Sequence, residues 1–149
     1  MGQRVKKEVY LTFAGWMTDI FSKAKRSEIM SKIKAKGTKP EKKMATELRK
    51  RRIRFKTHAN LPGRPDFVIA DGKVAVFCDG KFWHGYRFDE WKSKLAPYWL
   101  KKIGGNMKRD KTANRRLKKL GWKVVRCWDF EIIKSPADCI TKLMKKWKK

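Results

Sequence analysis

The chain has 149 residues, which suits one domain with a single core, and its 41 Lys and Arg residues against 14 Asp and Glu give a formal net charge of +27. A charge this high exceeds what solubility requires and predicts a polyanionic partner. We expect nucleic acid rather than a membrane, because no apolar run reaches the ~18 residues of a spanning helix and the basic residues are spread along the chain. Binding through counterion release should weaken steeply with salt.

Cysteine usage and the first residues predict an intracellular, cytoplasmic protein. Cys78, Cys127 and Cys139 form no C-x-x-C pair, and their odd number argues against a disulfide framework. The moderately apolar stretch Val9–Phe21 is interrupted by polar residues and lacks a convincing cleavage site, so it is not read as a signal peptide.

Hydrophobic periodicity and turn residues predict the elements in chain order. A helix is expected from Thr38 to about Arg51, because Pro40 and Glu41 suit its first turn. Strands are predicted over 53–57, 66–70, 73–78 and 122–128. A basic helix is predicted over 106–120 and a closing helix over 136–147. This order predicts an α/β fold with a mixed central sheet flanked by helices.

Candidate catalytic residues fall on the second and third predicted strands. In LPGRPDF and FCDGKFWHG, residues Asp66, Asp79 and Lys81 lie on successive strands of one hairpin, which brings two carboxylates and an ammonium group together. Phosphodiester hydrolysis needs such groups, because carboxylates hold Mg²⁺ and a lysine can orient hydroxide and offset charge at phosphorus. We predict Asp66 and Asp79 as Mg²⁺ ligands and Lys81 as catalytic; the alternative is that both aspartates only form turns.

His84 is the candidate general base. It follows Asp79 by five residues, and an unperturbed imidazole pKa of ~6.5 suits neutral catalysis. A partly buried or phosphate-contacting histidine is the alternative interpretation. His58 lacks such neighbours and is expected to be structural.

Aromatic residues are concentrated just beyond the hairpin, in FWHGYRFDEW. Phe82 and Trp83 are adjacent and flanked by charge, so both cannot easily point inward from an extended segment. One of them is a candidate for stacking on or between bases, with core packing as the alternative.

Four ordered blocks carry a resemblance to a known family. They are KRSEIMSKIKAKGTKPEKKMATELRKR, LPGRPDFVI, VFCDGKFWH and YWLKKIGGNMKRDKTANRRLKKLGWKVVRCW. Across about residues 17–147 the chain resembles the very-short-patch repair (Vsr) mismatch endonucleases of the PD-(D/E)XK nuclease superfamily. The resemblance implies a restriction-endonuclease-like fold and strand-specific nicking beside the thymine of a T:G mismatch, which arises when 5-methylcytosine deaminates.

The resemblance also implies roles in catalysis. Asp66 would be the central metal-binding carboxylate, with a backbone carbonyl near Cys78 or Asp79 completing the protein ligands. His84 would act as the base.

Two further acidic residues gain roles from the same resemblance. Glu41 would support a water at the metal, and Asp110 would orient or charge-balance His84.

Contacts with the duplex follow from the same resemblance. An aromatic wedge would enter beside the mismatch, and an apolar residue of an N-terminal arm, about residues 17–38, would insert from the other groove. Unstacking costs a few kcal/mol and least at a mismatch, so insertion itself favours damaged sites. The predicted DNA contacts are Met30, Arg26, Arg64, Phe82, Trp83 and Trp99.

Departures from the family concern a zinc site that its members carry. The matching positions here are Lys81, Tyr86, Phe88 and Phe130, so no structural zinc is expected, and the three aromatic rings are expected to pack in its place. Lys81 restores the general D-x-K pattern, and Asp79 stands where a histidine is usual.

The first residues are the second departure. MTDIFSKAKRSEIM from Met17 resembles a complete family N-terminus, so residues 1–16 are expected to be an extension and 17–149 one endonuclease domain.

Other interpretations of the sequence stay open. Another PD-(D/E)XK nuclease, such as a restriction or junction-cleaving enzyme, would share the site but not the substrate. A non-catalytic basic nucleic-acid-binding protein would use both aspartates only in turns. A monomer is expected if one strand of an asymmetric mismatch is cut.

Overall fold

One mixed sheet forms the centre of the chain in the computed structural model, which describes residues 22–32 and 37–148. The strands are β1 (Lys56–Thr57), β2 (Phe67–Ile69), β3 (Val74–Asp79) and β4 (Lys123–Trp128), in the spatial order β1-β2-β3-β4. The first three form an antiparallel meander and β4 runs parallel to β3, so the predicted mixed sheet is confirmed. Residues 1–21, which include the predicted extension, lie outside the described residues.

Helices precede, connect and follow these strands. The helices are α1 (Lys23–Lys32), α2 (Lys39–Lys50), α3 (Phe88–Trp91), α4 (Pro97–Lys119), α5 (Asp129–Lys134) and α6 (Pro136–Trp147). The parallel pairing of β3 and β4 requires a crossover connection, which α3 and α4 supply. In the described ranges, no helix combines the length and the apolar character needed to cross a membrane.

Side chains of β3 alternate between two separate cores, one on each face of the sheet. Val74 and Val76 join a core that includes residues of α2, α5 and α6, whereas Ala75 and Phe77 pack with Leu117 of α4. Both faces of β3 are therefore covered, which explains the continuous apolar run in its sequence.

The helix predicted from Thr38 is confirmed as α2. Thr38 is its N-cap, and the Thr38 hydroxyl accepts a hydrogen bond of 3.4 Å from the backbone N–H of Glu41. Pro40 lies in the first turn, where a missing N–H has no cost. The buried face of this helix carries Glu41 toward the sheet end described below.

Other elements differ from the predictions. The strand predicted over 53–57 pairs only at Lys56–Thr57, although Ile53 and Phe55 still pack against the core. Helix α4 begins nine residues before the predicted start, because exposed Tyr98 and Leu100 and the glycines 104–105 obscure its apolar periodicity. Three helices, α1, α3 and α5, were not predicted; α3 and α5 have only four and six residues.

Gly121, which has a left-handed backbone conformation, ends α4. Gly121 has φ +84° and its N–H donates to the carbonyl of Lys118, while the N–H of Trp122 donates to the carbonyl of Leu117. This pair of bonds is a Schellman motif, which satisfies the last carbonyls of the helix. It also directs the chain into β4.

We predict that Gly121→Ala lowers the free energy of unfolding by about 1 kcal/mol, because alanine resists a positive φ. Gly104→Ala is the matched control: Gly104 lies inside α4, no described heavy atom is within 4 Å of an added Cβ, and the change should stabilise the protein by about 0.5–1 kcal/mol. Urea unfolding measures both values. Equal effects of the two substitutions would contradict the C-cap assignment.

Candidate active site

The ends of β2 and β3 bring the central carboxylate of the site beside the backbone of the neighbouring strand. Asp66 directly precedes β2, and the antiparallel register pairs Phe67 with Val76. The Asp66 Oδ2 atom accepts a hydrogen bond of 2.7 Å from the backbone N–H of Cys78. This bond fixes the carboxylate at the sheet edge where β3 ends.

Asp66 lies in a negative, poorly solvated environment. The pKa of Asp66 is raised to about 6: burial is the largest cause, the carboxylates of Glu41 and Asp79 add to it, and the hydrogen bond from Cys78 opposes it. Buried carboxylates that repel one another are stabilised by a hard cation with oxygen ligands. Among the described residues, the ligand atoms that lie within 4.8 Å of one another are those of Asp79, His84 and Asp110, and Asp66 interacts electrostatically with this group, so the acidic cluster fits a divalent cation such as Mg²⁺.

Glu41 reaches this environment from α2. It is buried, with 8% of its surface exposed, and its Oε2 atom accepts a hydrogen bond of 2.9 Å from the backbone N–H of Gly37. His58 Nε2 lies 3.8 Å from the same oxygen. The histidine expected to be structural thus borders the acidic cluster.

Asp79 at the end of β3 is engaged by an arginine that the sequence analysis did not single out. Arg126 Nη1 on β4 lies 3.0 Å from each carboxylate oxygen of Asp79. Burial raises the pKa of Asp79 above its ordinary value, and the charge of Arg126 opposes that rise. Both oxygens expected to bind a metal therefore have a protein partner.

His84 and Asp110 form a close pair beside Asp79. His84 Nδ1 lies 2.6 Å from Asp110 Oδ2 and 3.8 Å from Asp79 Oδ1. Burial disfavours the charged imidazole, but the hydrogen bond to Asp110 and the charges of the two carboxylates outweigh it and raise the pKa of His84. A carboxylate can only accept, so Nδ1 carries the proton and Nε2 is left for chemistry.

Lys81 is separated from this group. Its side chain is exposed and its Nζ lies 5.8 Å from the ring centroid of Phe130, while its backbone N–H donates to Asp129 Oδ1 at 3.2 Å. Within residues 37–148, Lys81 forms no ion pair with Asp66 or Asp79. The D-x-K pattern thus brings the two aspartates together without the lysine.

Aromatic residues form a cluster next to His84 in the chain. Phe82 and Trp83 are partly buried with ring centroids 5.0 Å apart, and Phe82 stacks on Trp91 at 5.5 Å. Trp99 is fully buried and lies 6.2 Å from Trp83. In this arrangement Trp99 supports the Trp83 ring and does not present a face of its own.

The positions that match the family's zinc ligands divide between two clusters. Tyr86 packs against Phe130 at 4.9 Å and against Trp128 at 5.1 Å between ring centroids. Phe88 instead packs on Trp91 at 5.2 Å. Two of the three expected rings therefore meet.

The remaining predicted DNA contacts are Arg64, Arg26 and Met30. Arg64 is exposed in a left-handed turn with φ 50°, two residues before Asp66. The guanidinium carbon of Arg26 lies 4.3 Å from the ring centroid of Tyr98. Met30 belongs to α1, but its side chain lies outside the described residues.

Arg126 and the Cys78 backbone N–H are the site groups that the sequence analysis missed. Arg126 was discoverable, since it places a charge inside the otherwise apolar run VVRCW of a predicted strand. Buried charges need a partner, so this pattern predicts a carboxylate on a neighbouring element. The Cys78 N–H carries no sequence signal, because every residue but proline has one.

The class of protein is a nuclease: a partly buried carboxylate cluster suits a divalent cation, His84 pairs with Asp110 through Nδ1, and the chain carries a net charge of +27. Comparisons with known proteins narrow this class. The family model described as DNA mismatch endonuclease Vsr matches residues 18–90.

Curated relatives extend the match over most of the chain. DNA mismatch endonuclease Vsr of Escherichia coli (strain K12) is 34% identical over 137 residues, covering 88% of each chain. Type II nicking enzyme V.NmeDIP of Neisseria meningitidis serogroup C is 36% identical, covering 84% of this chain and 87% of its own. Type II nicking enzyme V.NmeAIP of serogroup A is 38% identical, covering 85% and 92%. The chain belongs to the Vsr endonuclease family.

We predict that Asp66→Asn stabilises the metal-free protein at pH 8 by roughly 2–3 kcal/mol, since the folded state holds an ionised Asp66 whose pKa has risen to about 6. The folded protein binds a proton at Asp66 more tightly than the unfolded chain does. Protonation of Asp66 therefore contributes to stability below the unfolded pKa, and this contribution is lost as pH rises through 6. The advantage of the variant should therefore vanish near pH 4.

Urea unfolding in chelator measures the effect at both pH values. Asp71→Asn, which neutralises an exposed aspartate at the other end of β2, is the matched control and should follow the wild type. A variant less stable than the wild type at pH 8 would contradict the electrostatic account of Asp66.

Proposed function

We propose that the chain is a Mg²⁺-dependent DNA endonuclease that nicks one strand at a base mismatch, with T:G as its substrate, and thereby initiates repair. The observation that carries this proposal is the partly buried Asp66 carboxylate, fixed by Cys78 and electrostatically coupled to His84, which pairs with Asp110. Membership of a family named for mismatch endonucleases supports the substrate class. We also propose that its mixed α/β fold is of the PD-(D/E)XK type and that it acts as a monomer inside the cell.

Asp66 would hold the metal, together with a backbone carbonyl near Cys78 or Asp79, and Glu41 would orient a water from α2. When bound, Mg²⁺ supplies Lewis acidity: it offsets charge on the phosphate and makes water a better nucleophile. The pKa of about 6 for Asp66 lets this carboxylate ionise at neutral pH, where a cation would stabilise it.

His84 would take a proton from the attacking water through Nε2, because Nδ1 donates to Asp110. Asp110 would hold the ring in that tautomer and stabilise its charged form. Lys81 is exposed and lies beside Phe130. A catalytic role for Lys81 would require its side chain to turn from Phe130 toward the phosphate.

Selection of a mismatch would depend on the aromatic cluster. Phe82 and Trp83 are partly exposed and directly precede His84, and Trp99 lies buried against Trp83. The two outer rings would enter the duplex, with Trp99 as their support and Met30 approaching from the other groove. A mismatch is already weakly stacked, so insertion there costs least.

Nicking of end-labelled duplexes tests this function. With Mg²⁺, we predict a single cut on the thymine strand of a T:G duplex and none in matched DNA. His84→Asn should slow the cut by about 10²–10⁴-fold, the usual contribution of a general base, and Asp66→Asn should abolish it while DNA binding persists.

Asp71→Asn is the matched control and should nick at the wild-type rate. Cleavage of matched or branched DNA would assign the chain to another nuclease. If no variant and no metal yields cleavage, the chain is a non-catalytic DNA-binding protein.

We predict that Arg64→Gln weakens DNA binding similarly on matched and mismatched duplexes and reduces the slope of log affinity against log salt by about 1. The reason is that exposed Arg64 lies next to the site and suits a phosphate contact. Arg54→Gln removes the same charge from an exposed residue just before β1 and is the control. Loss of affinity for only the T:G duplex would contradict a phosphate contact.

A further inference from the structure

Arg126 contacts the elements that build the site through Nη1, Nε and its guanidinium carbon, while its Nη2 is buried without a hydrogen-bond partner among the described residues. Its Nη1 lies 3.0 Å from both oxygens of Asp79 and 3.6 Å from Asp110 Oδ1. Its Nε donates to Asn114 Oδ1 at 2.9 Å, and its guanidinium carbon lies 3.9 Å from the ring centroid of Phe77. The group thus joins β3, β4 and α4.

These contacts use the planar shape of the guanidinium and not only its charge. Asp110 and Asn114 are one turn apart on α4, so one guanidinium group can reach both while it lies over the ring of Phe77. A lysine ammonium could neutralise Asp79 but could not also donate from an Nε position to Asn114. The arginine therefore fixes geometry as well as charge.

The same contacts determine what Asp79 can do. Both of its oxygens accept from Arg126, and Oδ1 lies 3.8 Å from His84 Nδ1. A divalent cation bound to Asp79 would lie close to the guanidinium, and the two positive charges would repel each other. Among the described residues, Asp66 forms no ion pair, and it accepts a hydrogen bond from the Cys78 backbone N–H.

We propose that Arg126 is a positioning residue, which keeps Asp79 out of the coordination sphere of the metal and uses that carboxylate, with Asp110, to fix the imidazole of His84. The metal and the base in this inference rest on the proposed function. In this inference Asp79 is not a metal ligand, and Asp66 is the only acidic side chain of the described residues that binds the ion directly.

Titration of DNA-free protein with Mn²⁺ alone, followed by electron paramagnetic resonance, tests the role of Asp79. Asp66→Asn should lower the affinity at least about tenfold, whereas Asp79→Asn should stay within about twofold of wild type. Arg126→Met should bind Mn²⁺ at least about threefold more tightly, because Asp79 is released, and Arg126→Met with Asp79→Asn should reverse this gain. If Asp79→Asn loses affinity as Asp66→Asn does, the inference is wrong.

Nitrogen NMR of the imidazoles tests the positioning of His84 without metal or DNA. The chain has two histidines, so His58→Gln assigns both sets of signals. At a pH that keeps the rings neutral, wild-type His84 should show the Nδ1–H tautomer, and Arg126→Lys should show a mixture of tautomers. An unchanged His84 spectrum in Arg126→Lys and in the Arg126→Met, Asp79→Asn double variant would overturn the positioning role.

Single-turnover nicking completes the test. Arg126→Lys should cut about 100-fold more slowly, as expected for a misplaced catalytic group, with DNA affinity within about threefold of wild type. Thermal melting of each variant separates this loss from unfolding. Absence of nicking by the wild type would refute the proposed function, whereas the Mn²⁺ and nitrogen measurements would still decide the role of Arg126. A wild-type cutting rate in folded Arg126→Lys would refute the need for the guanidinium fork.

Discussion

The pairing of β3 with both of its neighbours fixes where each charged group of the site lies. The antiparallel register with β2 brings Asp66 to the Cys78 N–H, and the parallel register with β4 sets Arg126 opposite Phe77. A slip of one residue in either ladder would turn these side chains to the other face of the sheet. Since two cores cover both faces of β3, such a slip would also expose apolar side chains.

Charge is distributed so that the site is negative and the chain around it is positive. The fourteen acidic residues are few, yet Glu41, Asp66, Asp79 and Asp110 lie near one sheet end. Partial burial strengthens their interactions and raises the pKa values of Asp66 and Asp79. In the proposed function, the Lys and Arg residues would attract the phosphate backbone and the acidic centre would attract a divalent cation.

The sequence predicts the parts of this arrangement that depend on local pattern. Thr38 and Pro40 mark the start of α2, Gly121 marks the end of α4, and a continuous apolar run identifies β3. Family resemblance adds the proposed roles of Glu41 and Asp110, which no spacing rule would connect to Asp66. Short α3 and α5 carry too few residues to show a helical period.

Tertiary contacts account for what the sequence did not reveal. Lys81 fits the D-x-K pattern, but its contact with Phe130 depends on the chain that follows β4. Arg126 lies 47 positions from Asp79, and only the β3–β4 pairing brings them together. The departure at Asp79 is therefore understood through its partner: an aspartate at this position is stable because β4 supplies a guanidinium.

The position of a bound cation tests whether Asp66, and not Asp79, is the acidic side chain that binds the metal. Crystals soaked in Mn²⁺ and measured by anomalous scattering would locate the ion. We predict a peak within coordination distance of the Asp66 carboxylate and a backbone carbonyl near Cys78 or Asp79, with Arg126 still bound to Asp79. A peak coordinated by the side chains of Asp79, His84 and Asp110, with Arg126 displaced, would contradict it.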